Sequence, residues 1–315
     1  MKAVVTTAYG SEEVLKIQDV PDPSIGPDGI LVKIHACSVN PIDWKIRKGD
    51  VKIVTGRKPP KILGGDYAGV VQEVGSAIAD YRPGERVWGH INAVKGGAYA
   101  ELIAVKAEDI GHMPASLSFE EAASVPLAGL TAYQALTKFG RLNSGHHVLV
   151  NGCSGGVGSM AVQFAKALGA TVTGVVSTRN LDLAVKLGCD HVINYQTENV
   201  LAASAKYDIF FDAVGSEPFR LARKTLSVGG RYITTLPTPM LLFRSAVLNP
   251  FRSQKELSFL VKSSGSDLAD IAKMVRSEKF VPIVDRVFDL ENVKEAHRHS
   301  ATGKAVGKIV LRVAP

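Results

Sequence analysis

Residues 147–179, HVLVNGCSGGVGSMAVQFAKALGATVTGVVSTR, constrain the fold more than any other part of the chain. An apolar run over 147–151 leads into Gly152-Cys153-Ser154-Gly155-Gly156-Val157-Gly158. Met160, Ala161, Phe164, Ala165 and Leu168 then recur at helical spacing until Gly169, and a β-branched run covers 171–176. The spacings predict strand, glycine turn, helix, strand. In such a βαβ unit the glycines have separate jobs: a tight turn, a backbone that lets a pyrophosphate approach, and close contact of helix on sheet. The helix N-terminus adds unpaired N–H groups and a positive dipole for an anion. A glycine-rich turn that binds nothing is the competing reading, and the flanking strands weigh against it.

The end of the second strand bears on which dinucleotide fits. An NAD site needs an Asp or Glu about twenty residues past the glycines for the ribose 2′-hydroxyl, whereas NADP needs that acid absent and a cation near the 2′-phosphate. This chain has Val176-Ser177-Thr178-Arg179-Asn180 there. Two hydroxyls and a guanidinium all donate to a phosphate, so NADPH is the expected cofactor. The plainer alternative makes Arg179 a solvated loop residue and Ser177 a helix cap.

With 315 residues, 46% of them hydrophobic and 21% charged, the chain can hold two domains with proper cores. Its opening turns polar too soon for a signal peptide and no apolar run approaches bilayer length, so a cytoplasmic location is expected. Cys37, Cys153 and Cys189 include no Cys-x-x-Cys pair, which argues against a disulfide framework and a structural zinc lobe. Cys153, in the glycine turn at a helix N-terminus, is expected to be the accessible and reactive thiol. The net charge of +7 suits an anionic ligand.

Residues 1–110 read as a mostly β domain: strand-like pieces at 1–6, 30–36, 68–74, 86–89 and 99–105 alternate with Pro/Gly turns such as Gly26-Pro27-Asp28-Gly29. Ser118-Phe119-Glu120-Glu121 is a capping box, and 127–139, closed by Gly140, predicts a further helix. Beyond the glycine turn, strands at 191–194, 207–214, 231–236 and 256–261 alternate with helices at 181–187, 197–204 and 218–226, which predicts a parallel doubly wound sheet. The tail reads helix 267–277, strand 281–288, helix 290–299, strand 308–313.

Five stretches resemble one family: Ser38-Val39-Asn40-Pro41-Ile42-Asp43, Gly64-Gly65-Asp66-Tyr67-Ala68-Gly69, residues 122–133 (AASVPLAGLTAY), the glycine turn, and Gly307-Lys308-Ile309-Val310-Leu311. End to end the chain is similar to the medium-chain dehydrogenase/reductase superfamily, in its zinc-free quinone oxidoreductase-like branch. The resemblance implies an α/β chain with a GroES-like mostly-β catalytic domain (1–121 and 263–315), a doubly wound Rossmann NADP-binding domain (122–262) and an active site in the cleft. Where zinc-binding relatives place three catalytic ligands, this chain has Asn40, Gly65 and Leu127. Gly and Leu supply no donor, so no metal is expected. Hydride delivery from NADPH to an already electrophilic quinone, enone or enal does not need one, because conjugation spreads the developing charge.

The same resemblance puts Asn40 and Asp43 at the catalytic position, with Trp44 and Asp66 in the substrate pocket. Thr131, Gly155, Gly156, Val157, Gly158, Ser177, Arg179, Tyr195, Val214, Gly215, Leu236 (with Pro237) and Lys308 would line the cofactor. Each has a plainer reading. Asn40, Pro41 and Asp43 fit N-cap, N1 and N3 of an ordinary helix. Tyr195 could cap a core, Lys308 could be a solvated strand lysine, and His297 and His299 read as helix surface. A homodimer is expected. Lys45, Arg47, Lys48, Lys52, Arg57, Lys58 and Lys61 form a basic run with one acid, Asp50. A nucleic-acid or membrane-surface binding protein is therefore the alternative of another class, and retention at low and moderate salt discriminates it.

Overall fold

The computed structural model describes residues 1–202, 205–236 and 238–313, and it divides into two compact units. The first comprises Met1–Leu130, Lys262–Arg276 and Pro282–Pro315; the second comprises Thr131–Val261 and Ser277–Val281.

The first unit opens with a two-stranded antiparallel sheet of β1 (Lys2–Thr6) and β2 (Leu15–Asp19). A larger sheet follows, built from β3 (Gly29–Val39), β4 (Asp66–Val74), β5 (Arg86–His90), β6 (Leu102–Lys106) and β7 (Ile110–His112). β3 is its centre: Ile30, Val32 and Ile34 are fully buried, and the strand pairs antiparallel with β4 and β6. The expected strand at 99–105 starts later. Tyr99 and Ala100 instead meet β1, through the Val4 N–H to Tyr99 O bond of 2.8 Å and a bridge between Ala3 and Ala100.

The second unit holds β8 (His147–Asn151), β9 (Thr171–Val176), β10 (His191–Asn194), β11 (Tyr207–Asp212), β12 (Leu226–Thr234) and β13 (Lys255–Ser258). They form one sheet in the order β10-β9-β8-β11-β12-β13, parallel at every pairing. β8 reads as a continuous apolar run because helices cover both faces of such a sheet: Val148, Leu149 and Val150 are fully buried. The helix expected over 127–139 is α-helical only through Gln134; residues Ala135–Phe139 widen into a π turn. There the Gly140 N–H reaches Ala135 O at 2.6 Å, and Phe139 stacks on Phe259 with centroids 4.4 Å apart. Of the helix expected over 197–204 the described residues form only a short turn, Val200–Ala202, and residues 203 and 204 lie outside the described residues.

The chain then completes the first unit with helix Gly265–Arg276, β14 (Val284–Asp289), helix Val293–Ala301 and β15 (Lys308–Arg312). β15 pairs antiparallel with β3, giving the order β14-β15-β3-β4-β5-β7, so the last strand of the chain lies beside one of its first. Among the described residues no helix is long and apolar enough to cross a membrane.

Candidate functional site

In the second unit the strand order reverses between β8 and β11, and the loops leaving these two strands at their carboxyl ends are where a doubly wound sheet binds its ligand. The turn after β8 runs into helix Gly156–Ala167, whose N-cap is Gly155 and carries no side-chain cap. The first-turn N–H groups of Gly156, Val157 and Gly158 are thus left for an outside acceptor. Gly158 has no alternative: a Cβ there would lie 2.1 Å from Gly152 O. The loop after β11 is shaped by Asp212, a fully buried carboxylate. It accepts the N–H groups of Val214, Gly215 and Glu217, the Asn151 side chain and the Tyr232 hydroxyl, all within 2.7–3.1 Å. Val214 and Leu236 remain exposed, and Cβ atoms on Gly152 and Gly215 would collide with them at 2.4 and 2.2 Å. Thr131 lies in helix Pro126–Gln134 and is buried; Pro237 lies outside the described residues.

At the end of β9, Ser177 is buried and Arg179 exposed. The Tyr195 N–H bonds Val176 O at 3.0 Å, which sets Tyr195 beside that strand end, where the residue is 57% exposed and caps no core. Thr178 accepts the Asn194 amide at 2.8 Å and keeps its own proton to donate. Glycine turn and strand end together fit an anionic dinucleotide.

The first unit holds a buried polar cluster assembled by strand register. Ser38 on β3 faces Asp66 on β4, which faces His90 on β5, so three neighbouring strands align the three side chains. Asp66 is fully buried. Its Oδ2 accepts the Ser38 hydroxyl at 2.7 Å and the Asn40 amide at 2.8 Å. Its Oδ1 accepts the Leu127 N–H at 2.8 Å and lies 3.0 Å from His90 Nδ1. The Lys308 ammonium stands 3.6 Å from Oδ2 and donates to Asn40 Oδ1. Burial pulls the Asp66 pKa up, but the His90 bond and the Lys308 charge outweigh it and leave the carboxyl at about 2. Burial lowers Lys308, against the pull of Asp66 and Asp43. Lys308 is therefore no solvated strand lysine, and Asp66 is a hub with both oxygens engaged.

Asn40 and Asp43 begin helix Pro41–Lys48, and the structure divides their work. Asp43 Oδ2 caps the helix, accepting the Asn40 N–H at 2.8 Å. The Asn40 side chain turns to Asp66 and Lys308. Asp43 Oδ2 also accepts the Tyr99 hydroxyl at 2.9 Å, and the Tyr99 hydroxyl oxygen lies 3.2 Å from His297 Nε2. Asp43 Oδ1 is buried without a partner. Burial is the main reason the Asp43 carboxyl is raised to about 6. Trp44 is half-buried, its Nε1 has no partner, and Lys48 Nζ lies 4.9 Å from its ring.

Three expectations are corrected. His297 is fully buried against Tyr99, and burial pushes its pKa down to about 3. Arg47 leaves the basic run: 1% exposed, it donates to Gly10 O at 3.0 Å and lies 3.6 Å from Glu12. Cys153 is fully buried; its hydrogen bond to Cys189, with burial, raises its thiol, so the dipole of the following helix does not make it the reactive one. Ser38, His90, Tyr99 and Asp212 were not foreseen. The first two could have been read from aligned polar residues in otherwise apolar strands, and the others carry no local signal.

A parallel sheet with a glycine turn at its switch point, joined in one chain to a mostly β unit, defines a two-domain oxidoreductase of the dinucleotide-binding class. The alcohol dehydrogenase GroES-like domain family matches residues 26–115 and the zinc-binding dehydrogenase family residues 187–311. The chain is 35% identical to a chloroplastic quinone oxidoreductase of Triphysaria versicolor, over 99% of this chain and 98% of that one. It is 38% identical to the 2-methylene-furan-3-one reductase of Solanum lycopersicum, over 100% of this chain and 80% of the other. The solved quinone oxidoreductase of Coxiella burnetii superposes with a TM-score of 0.89 at 32% identity, covering 100% of this chain and 99% of that one. The chain belongs to the medium-chain dehydrogenase/reductase superfamily, in its zinc-free quinone oxidoreductase-like branch. Among the described residues no group of three or more His, Cys, Asp or Glu could hold a metal ion.

Proposed function

We propose that this protein is an NADPH-dependent reductase that passes hydride to a quinone or a related conjugated acceptor, an enone or enal, without a metal. The observation that carries this reading is the set of residues at the three zinc-ligand positions of relatives. Leu127 offers Asp66 its backbone N–H, Asn40 offers its amide, and Gly65 has nothing to offer. The positive charge beside them is the Lys308 ammonium. Such a cluster holds an amide rigidly and supplies no Lewis acid to a simple alcohol, so the acceptor must itself spread charge. Bound NADPH supplies the hydride. Asn40, gripped at Oδ1 and through one hydrogen of Nδ2, keeps a second Nδ2 hydrogen for the acceptor oxygen. Asp43, near a pKa of 6, can hold a proton at neutral pH more readily than an ordinary carboxyl.

Preference for NADPH over NADH rests on Ser177, Thr178 and Arg179 where an NAD site needs an acid. The proposed assembly is a homodimer in the cytoplasm. Met240, Phe243 and Val247 are exposed on helix Pro239–Leu248, and β13 is the outermost strand of its sheet. Light scattering that reads one chain's mass at working concentration would remove the dimer. The test of the activity is NADPH oxidation with a panel of quinones, enones and alkenals. Turnover of none of them, by protein shown to bind NADPH, would overturn the proposal, and the ranking within the panel separates quinone reductase from enone reductase.

A further inference from the structure

Cys153 follows Gly152 in the glycine turn after β8, and Cys189 stands just before β10, with β9 running between the two strands. Their side chains meet over Gly174 in the middle of β9. A Cβ on Gly174 would lie 2.5 Å from Cys189 Sγ and 2.7 Å from Cys153 Sγ, so no side chain separates the sulfurs. Gly174 pairs with Val150 on one side and Val192 on the other, so the two cysteines reach it from opposite ends of the parallel sheet, Cys153 from the loop after β8 and Cys189 from the loop before β10. The Cys189 neighbour and burial raise the Cys153 thiol, so Cys153 is the sulfur that keeps its proton. The pair is unequal in access: Cys153 is fully buried and Cys189 half-exposed. Its electronics follow the same order. The neighbouring Cys153 thiol lowers the Cys189 thiol, and Lys166 adds to this, against burial and the Asp190 carboxylate. Cys37 lies elsewhere, buried in β3 of the other unit.

We propose that Cys153 and Cys189 form an oxidisable pair, closed to a disulfide by hydrogen peroxide, and that closure weakens dinucleotide binding at the glycine turn. This rests on the dinucleotide reading of that turn. The Cys189 thiolate attacks one peroxide oxygen: an S–O bond forms, the O–O bond breaks, and the leaving hydroxide takes a proton to become water. Cys153 then gives up its proton and its sulfur attacks the sulfenic sulfur of Cys189. The S–S bond forms, the S–O bond breaks, and a second water leaves. The two sulfurs together lose two electrons to one peroxide. A disulfide needs the sulfurs about 2.05 Å apart, closer than any hydrogen-bonded pair. Drawing them together pulls on Cys153, whose N–H, like that of Gly152, ties the turn to Val175 O at 3.2 Å. The first-turn N–H groups follow directly after it.

The experiment starts with NADPH titration of the reduced protein. Failure to bind there overturns the dinucleotide reading rather than this proposal, and is scored before any oxidant is added. The protein is then treated with hydrogen peroxide, blocked with iodoacetamide and digested for mass mapping, with NADPH affinity measured in parallel. The expected result is a peptide pair joined through Cys153 and Cys189 and a dissociation constant raised about tenfold, both reversed by dithiothreitol. Cys189→Ser should bind NADPH normally, form no linked pair and keep its affinity through the treatment, while Cys37→Ser should behave as the parent chain. Sulfinic acid on Cys189 without linkage, or linkage with unchanged affinity, overturns the proposal.

Discussion

Lys308 Nζ lies 3.6 Å from Asp66 Oδ2, and both side chains are buried. The ammonium also donates to Asn40 Oδ1, whose amide nitrogen donates in turn to Asp66. One carboxylate and one ammonium therefore hold a single amide from both ends. Asp66 keeps three further partners, Ser38, His90 and the Leu127 N–H, which is what makes a buried charge tolerable.

Removing the ammonium should cost both stability and rate. Lys308→Met leaves Asp66 buried without its counter-charge and frees the Asn40 oxygen, so unfolding should be easier by about 3 kcal/mol. Turnover should fall with NADPH affinity retained. Asn40→Ala should lower turnover likewise while melting less far below the parent, because it removes one neutral donor from Asp66 rather than its counter-charge. Unchanged kinetics in both variants would make the cluster purely structural.

Asp43 ties stability to pH. Its carboxyl stands at about 6 in the folded chain against 3.8 ordinarily, so folding favours its protonated form. That contribution is full below about pH 4, is lost as the pH rises through about 6, and amounts to about 3 kcal/mol. Asp43→Asn should therefore raise the melting temperature at pH 8 and change it little at pH 4. Its amide nitrogen would fall where Oδ1 now lacks a partner. Asp66, near 2, acts in the opposite sense: its stabilisation is present above about pH 4 and disappears as the pH falls toward 2. A lower melting temperature for Asp43→Asn at pH 8 would show that the charged carboxylate is the stabilising form.

If Arg179 holds the 2′-phosphate as proposed, Arg179→Ala should raise the KM for NADPH by about tenfold or more and leave that for NADH nearly unchanged. Parallel steady-state measurements with both cofactors check this. Equal effects would assign Arg179 to the loop alone.

Prolonged chelation should leave turnover and melting temperature as they are, because Gly65 and Leu127 offer no ligand atoms. Stoichiometric zinc by elemental analysis, with activity lost on its removal, would reverse the assignment.

What the sequence determined by itself is what lies close along the chain. Strand, turn and helix over 147–179 are contiguous, so hydrophobic period and glycine placement specify them without reference to the rest. The missing acid after β9 and the missing ligands at Gly65 and Leu127 are matters of residue type and need no coordinates. Only the tertiary structure decided the partners. Ser38, Asp66, His90 and Lys308 come from four strands, and which side chains face one another depends on register, where a slip of one residue turns every side chain to the other face. His297 has the polar neighbours of a surface residue, yet its helix turns it inward to Tyr99. Cys153 and Cys189 are 36 positions apart and meet because the strand between their loops carries a glycine at that level. Burial and pairing distances belong to the packed chain, and they set each protonation state in the cluster.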